Sequence, residues 1–191
     1  ALNVFQYTEW MISRGDYEKP VIDFLRSEIN EGENFVDVGA NVGYITLTMC
    51  SLCGTGSVFA FEPFPESYAK LQRNLNLNGL TNCIARPEAL SSHRGKAYLK
   101  VNAHNTGGNS VCTAAQSNSL AKNRNLVVTT CTFDEIFDKT VIAGVKIDVE
   151  GHEIEVLKGM SLTLKTRPPR FIIVETYQRF DMINDHLKQY S

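Results

Sequence analysis

The stretch that decides the fold is FVDVGANVGYITL, Phe35 to Leu47. An apolar run carrying Asp37 meets a Gly-Ala-Asn-Val-Gly turn, after which the apolar residues fall at helical spacing. A strand, a glycine turn and a helix in that order are where open α/β sheets bind nucleotides and nucleosides. A dinucleotide fingerprint needs G-x-G-x-x-G. Counted from Gly39, its second and third positions are Asn41 and Tyr44, so nicotinamide and flavin dinucleotides do not fit. A phosphate loop would need Lys-Ser or Lys-Thr after its last glycine, and none follows Gly43.

What remains is Asp-x-Gly-x-Asn-x-Gly: Asp37, Gly39, Asn41 and Gly43. Backbone without a side chain at Gly39 allows a ligand close approach. Asp37 can accept from a cationic amine, whereas beside a pyrophosphate it would repel. Glu62 follows Gly43 by 19 residues, at the end of the next apolar run. A carboxylate there can take both hydroxyls of a ribose. Together the two acids suit a nucleoside that carries an amine and no phosphate, and S-adenosylmethionine is such a ligand. The plainer alternative is a tight turn with a solvated Asp37.

Outward from this stretch, strand and helix signals alternate as in a mostly parallel sheet with helices on both faces. Val21, Phe24, Leu25 and Ile29 keep helical spacing behind Pro20, within an N-terminal helical segment spanning residues 1–31. Phe35–Gly39 is the first strand and Val42–Cys53 its helix. Ser57–Phe61 is the second strand, with a helix over Glu66–Asn78 that stops at Gly79. Asn82–Ala85 is a short third strand. Residues 91–126 are less regular, with an alternating KAYLKV and a polar NAHNTGGNSV, and read as a hairpin-like insertion on the substrate side. Val127–Phe133 is a further strand. Val141–Asp148 is the fourth core strand, and Gly151–Leu157 opens its helix, with Gly159 as the stop. RPPRFIIVETY holds a fifth strand, and FDMINDHLKQY a last helix. The expectation is one domain over residues 1–191.

Composition agrees. Hydrophobic residues make up 43% and charged residues 21%, with a net charge of -2, so no overall basic field favours nucleic acid. No apolar run is long enough to span a bilayer, so no membrane partner is expected. Five cysteines in a chain with its own core suggest free thiols in a reducing, cytoplasmic setting. Cys50-Ser-Leu-Cys53 lacks the second pair that a zinc site needs, and reads as packing at a helix end.

Five blocks, FVDVGANVGYITL, VFAFEPFPESYAKLQRNLNLNGL, TTCTFDEI, VKIDVEGHEIEVLKGM and IIVE, resemble in that order the FkbM family of S-adenosylmethionine-dependent methyltransferases. The resemblance runs from Gly32 to Glu175, and KIDVEGHE after FEPFP is its most specific part. It implies an α/β, Rossmann-like class I methyltransferase fold and O-methylation of a hydroxyl on a sugar or natural-product-like small molecule. It further implies that Asp37, Gly39, Asn41 and Gly43 hold the methionine part, Glu62 the ribose and Phe64 the adenine face. Glu88 and Ala89 fall where related enzymes meet the adenine edge. The sheet of this class usually ends in two more strands. Only 16 residues follow Glu175, so the chain is expected to be cut before that C-terminal strand hairpin.

The methyl carbon is already activated, so the protein must align a hydroxyl and remove its proton. KIDVEGHE sets Asp148, Glu150, His152 and Glu153 at the open end of the fourth core strand. Asp148 is the first candidate for the base, with Glu150 second, on the same strand parity. Glu175, ending IIVE, can face them from the neighbouring strand. The alternative for Glu150, Glu153 and Glu175 is a structural role at a helix start or in a hydrogen bond. His152 is read either as a base or as an exposed first-turn residue. No metal is expected, because four such groups within six residues cannot converge on one ion. Two further readings stand beside the enzyme. One is a protein that binds the cofactor without turnover. The other is an RNA methyltransferase, for which Arg167, Arg170 and Arg179 offer a small patch but the Asn/Asp-Pro-Pro-aromatic motif is missing.

Overall fold

All four residues of FVDV are buried because their strand lies at the centre of a parallel sheet. The computed structural model describes residues 18–101, 109–112, 125–176 and 180–190. The first 17 residues, most of the polar loop NAHNTGGNSV, Tyr177 and Arg179 lie outside the described residues.

In chain order the elements are α1 (Lys19–Glu28), β1 (Phe35–Val38), α2 (Tyr44–Cys53), β2 (Val58–Phe61), α3 (Pro65–Leu77) and β3 (Cys83–Arg86). Then come β4 (Ala89–Leu90), β5 (Gly95–Lys100), β6 (Ser110–Cys112), β7 (Asn125–Cys131) and α4 (Phe133–Ile136). The chain continues with β8 (Gly144–Ile147), α5 (Glu153–Lys158), α6 (Ser161–Thr166), β9 (Phe171–Val174) and α7 (Phe180–Leu187).

Strands β3-β2-β1-β8-β9 form one sheet in that order, and every neighbouring pair is parallel. Alternation along each strand sends its residues to opposite faces. Val36, Val38, Val145 and Ile147 pack with Val156 and Leu157 of α5, Leu164 of α6 and Ile183 of α7. Phe35, Val58 and Ala60 pack on the other face with Leu25 of α1, Met49 of α2 and Leu71 of α3. A side chain as fully buried as Leu71 or Leu157 contributes about 1.5–3 kcal/mol. The same parity puts Asp37 opposite Lys146 on the face covered by α1 and α2.

A second sheet has the order β4-β7-β5-β6. Within the stretch read as a hairpin, β5 pairs antiparallel with both β6 and β7. Ala89, Ala97, Leu99 and Val128 of this sheet pack around Phe64, immediately after β2.

Several boundaries move, each for a local reason. Helix α2 begins at Tyr44 rather than Val42, because Gly43 takes φ 95° as its N-cap. Strand β7 ends at Cys131, short of Phe133, because Thr132 caps α4 by accepting from Glu135 N at 3.1 Å. The helix expected from Gly151 begins at Glu153. Beyond Gly159 the chain turns helical again at Ser161, where the Asp134 carboxylate accepts from Leu162 N and Thr163 N, both at 2.8 Å. Cys50, Cys53, Cys83 and Cys131 are free thiols, and the C-x-x-C pair packs inside the α1/α2 face. Among the described residues no helix is long and apolar enough to cross a membrane.

Candidate active site

One end of the candidate site is built on the carboxyl ends of β1 and β2. Asp37 is wholly buried. Its Oδ2 accepts from Thr46 Oγ1 at 2.6 Å, while Oδ1 has no hydrogen bond and lies 3.8 Å from Lys146 Nζ. Burial pushes this carboxyl above its ordinary value, and Lys146 and Thr46 oppose the push. Gly39 has φ 81°, and a Cβ there would stand 1.8 Å from the backbone oxygen of Asp148. Its bare backbone therefore serves close contact with the end of β8, a reason the sequence reading did not include. Gly43 caps α2, and Asn41 takes φ 49° between the two glycines.

Glu62, 7% exposed, is gripped by backbone: Oε2 accepts from Asn41 N at 2.7 Å and Oε1 from Phe64 N at 2.8 Å. Burial pushes its carboxyl up to about 7 in spite of the Phe64 and Asn41 N–H groups. The Phe64 ring packs into the core of the second sheet and is 4% exposed, as is Ala89. Glu88 is engaged by Arg86, with Nη2 at 2.7 Å and Nε at 3.2 Å, and this contact holds its carboxyl below the usual range.

The other end gathers carboxylates from three separate parts of the chain. Oxygens of Glu18, Asp148 and Glu175 lie within 4.8 Å of one another. Asp148 follows β8 and its backbone N donates to Val38 O, while Glu175 follows β9 and its N donates to Ile147 O. The face that carries Lys146 thus carries Asp148 and Glu175 too. Glu18 caps α1 with φ 48° and no capping hydrogen bond, and its Oε2 is buried without a partner. Such trios often occur without an ion. Here a protein cation is at hand, since Lys146 Nζ is 3.4 Å from Asp148 Oδ2. Burial would depress the Lys146 ammonium, but Asp37, Asp148 and Glu18 outweigh it and hold the group above its ordinary value.

Glu150 does not share strand parity with Asp148. The strand has ended at Ile147 and Glu150 turns to φ 52°. It still feels the cluster: burial first, then Asp148, Glu175 and Glu153, raise its carboxyl. Glu153 is buried and accepts from Gly151 N at 2.7 Å. His152 is buried, not exposed, with Nε2 3.0 Å from Ser91 Oγ. Among the described residues the non-glycine positions with positive φ are Glu18, Asn41 and Glu150, all at this site. Backbone strain of this kind gathers at functional sites.

Sequence reasoning missed Lys146, Glu18 and Thr46. Lys146 had a signal, a lysine between apolar residues two positions before Asp148. Glu18 had none, because it lies 130 residues from Asp148 and only folding brings them together.

Comparison with known proteins agrees with this layout. A precorrin-6y C5,15-methyltransferase from Geobacter metallireducens aligns over 92% of this chain and 72% of its own, with a TM-score of 0.56 and 15% identity. An rRNA methylase from Streptococcus thermophilus covers 89% of this chain and 75% of its own at TM-score 0.50 and 15% identity. At these identities the likeness is one of fold, and the fold is that of Rossmann-like methyltransferases. Family follows from sequence. The Methyltransferase FkbM domain matches residues 37–190. The hexuronic acid methyltransferase AglP of Haloferax volcanii is 32% identical over 176 residues, 90% of this chain and 67% of that protein. Methyltransferase sdnD of Sordaria araneosa is 31% identical over 172 residues, 75% of this chain and 66% of that protein. The chain belongs to the FkbM methyltransferase family, and it spans about two thirds of the length of these relatives.

The cofactor of the family is S-adenosylmethionine. The residues present fit it in kind: Asp37 Oδ1 is buried without a hydrogen bond and could accept from an amine, and Glu62 is a buried carboxylate that could accept from hydroxyls.

Proposed function

We propose that this chain methylates a hydroxyl of a sugar or natural-product-like small molecule, with Asp148 receiving the hydroxyl proton. One observation carries the reading. The Asp148, Glu175 and Glu18 carboxylates converge at the open end of β8, next to the glycine loop whose Gly39 touches the Asp148 backbone. Open α/β sheets do their chemistry at that end.

Asp37, Gly39, Asn41 and Gly43 would hold the methionine part of S-adenosylmethionine, Glu62 the ribose, and Phe64, Glu88 and Ala89 the surroundings of the adenine. When bound, the cofactor would supply an activated methyl group, the methyl–sulfur bond being the one broken and S-adenosylhomocysteine the leaving group. The chain's own residues then have two tasks, alignment and proton removal. Asp148 accepts from the hydroxyl and takes its proton as the oxygen gains its new bond. Glu150 and Glu175 lie close to the same space. The acceptor would be covered by the second sheet. The hexuronic acid named for the Haloferax relative supports a sugar acceptor. Free, largely buried thiols support a reducing, cytoplasmic setting.

The test is methyl transfer from labelled S-adenosylmethionine to a panel of uronic acids, neutral sugars, small hydroxylated natural products and RNA, with the product identified by mass spectrometry. The expected product is a methyl ether of a small molecule. Transfer to RNA alone, or cofactor binding with no transfer to any acceptor, overturns the proposal.

A further inference from the structure

Lys146 stands inside a parallel sheet, 5% exposed, where neighbouring positions on β1 and β9 are Asp37 and Ile173. Its Nζ lies 3.8 Å from Asp37 Oδ1 and 3.4 Å from Asp148 Oδ2. A buried ion pair is seldom retained for stability, since apolar residues of similar volume often serve as well or better. Position offers another reason. The ammonium occupies the space between the carboxylate at the cofactor end and the carboxylate at the acceptor end.

We propose that Lys146 is a positioning residue, bridging Asp37 to Asp148 so that Asp37 stays ionised and the two ends of the site stay aligned with one another. The acceptor half of this inference rests on the reading of Asp148 as the proton acceptor. The groups that face Lys146 are Asp37 from β1, Asp148 after β8, and Glu18 from the start of α1. Its charge also reaches Glu62 after β2 and Glu150 beyond Asp148, and Glu175 belongs to the same cluster. Burial raises the carboxyls of Glu18, Asp37, Glu62 and Glu150, and Lys146 draws each of them back down. A residue that only filled space would leave those four groups alone.

The experiment compares Lys146→Met, Lys146→Gln and Lys146→Arg in the full chain. Three quantities are read: S-adenosylhomocysteine affinity by calorimetry between pH 6 and 9, the carbon-detected titration of the Asp37 carboxyl, and the acid limb of kcat. The Met and Gln variants should bind about tenfold more weakly or worse at pH 7, with the loss shrinking towards pH 9. The Asp37 titration and the acid limb should both move up by about one pH unit or more, the same factor of ten per unit. The Arg variant keeps the charge and should stay near the wild type. Glutamine is included because its amide can still donate to both carboxylates, which favours folding without the charge. Folded Met and Gln variants whose affinity and Asp37 titration follow the wild type across this range overturn the inference. The binding and Asp37 arms do not involve Asp148, so an error in the choice of base shows separately, as undiminished turnover in Asp148→Asn.

Discussion

Glu62 and Asp148 are both carboxylates at the open end of one sheet, yet their surroundings differ in kind. Each oxygen of Glu62 is fixed by a backbone N–H, and the side chain has little freedom left. Asp148 is held by a lysine at 3.4 Å and crowded by Glu18 and Glu175. A backbone grip suits a neutral, invariant partner such as a ribose, because both acceptors keep their positions whatever the rest of the site does. A carboxylate held beside a cation, with other carboxylates close by, suits the proton transfer proposed for Asp148. On the proposed reading, rigidity would serve the cofactor and the charged cluster the acceptor.

That contrast can be broken by substitution. The largest effect is expected from Asp148→Asn, which should lower turnover by about 10²–10⁴-fold. Its S-adenosylhomocysteine affinity should stay within about threefold. Single-turnover transfer beside calorimetry separates the two quantities, and a parallel loss in both would mean that the two ends do not divide the work. A smaller effect is expected from Glu62→Gln. Charge-assisted hydrogen bonds are worth about 1.5–3 kcal/mol, so cofactor affinity should fall by roughly 10- to 100-fold.

The wild type should also lose affinity as the pH falls through about 7, where Glu62 takes up a proton and can no longer accept from both hydroxyls. In Glu62→Gln that part of the pH dependence should vanish. The smallest effect is expected from Glu18→Gln. Burial holds the Glu18 carboxyl above its ordinary 4.5, so its stabilising contribution is present below 4.5 and is lost as the pH rises through the raised value. The variant should therefore melt higher at pH 8 and match the wild type at pH 4. A gain near 1 kcal/mol would appear as about 2–4 °C. Its turnover should change by less than about tenfold, because Glu18 flanks the proposed base.

Much of this was legible because the relevant patterns are local. The run FVDV, the turn after it and the spacing to Glu62 describe a strand, a loop and the next strand, and each signal spans only a few residues. Strand parity carries Glu175 to its place because β9 keeps an unbroken register with β8 from Phe171 to Val174. The same rule failed for Glu150, where the chain leaves the strand and turns to φ 52° within three residues of Ile147. It failed again at Phe133, where a capping threonine overrode an apolar residue that reads as strand. The burial of His152 and Phe64 was not legible either: His152 meets Ser91, just after β4, and Phe64 packs in the core of the second sheet, and nothing in their own neighbourhoods announces it.

By itself the sequence determined the order of strands and helices, the glycine turn, the acids in or just after β1, β2, β8 and β9 and the family to which these belong. Hydrophobic period and residue spacing act over a few residues and survive in the linear chain. Only the tertiary structure decided which charges meet. The strand order β3-β2-β1-β8-β9 sets Asp37 beside Lys146, though 109 positions separate them in the chain, and the docking of α1 brings Glu18 to both. Those contacts, and the burial that changes the proton affinity of each group, arise from long-range packing, for which no short stretch of the chain carries a signal.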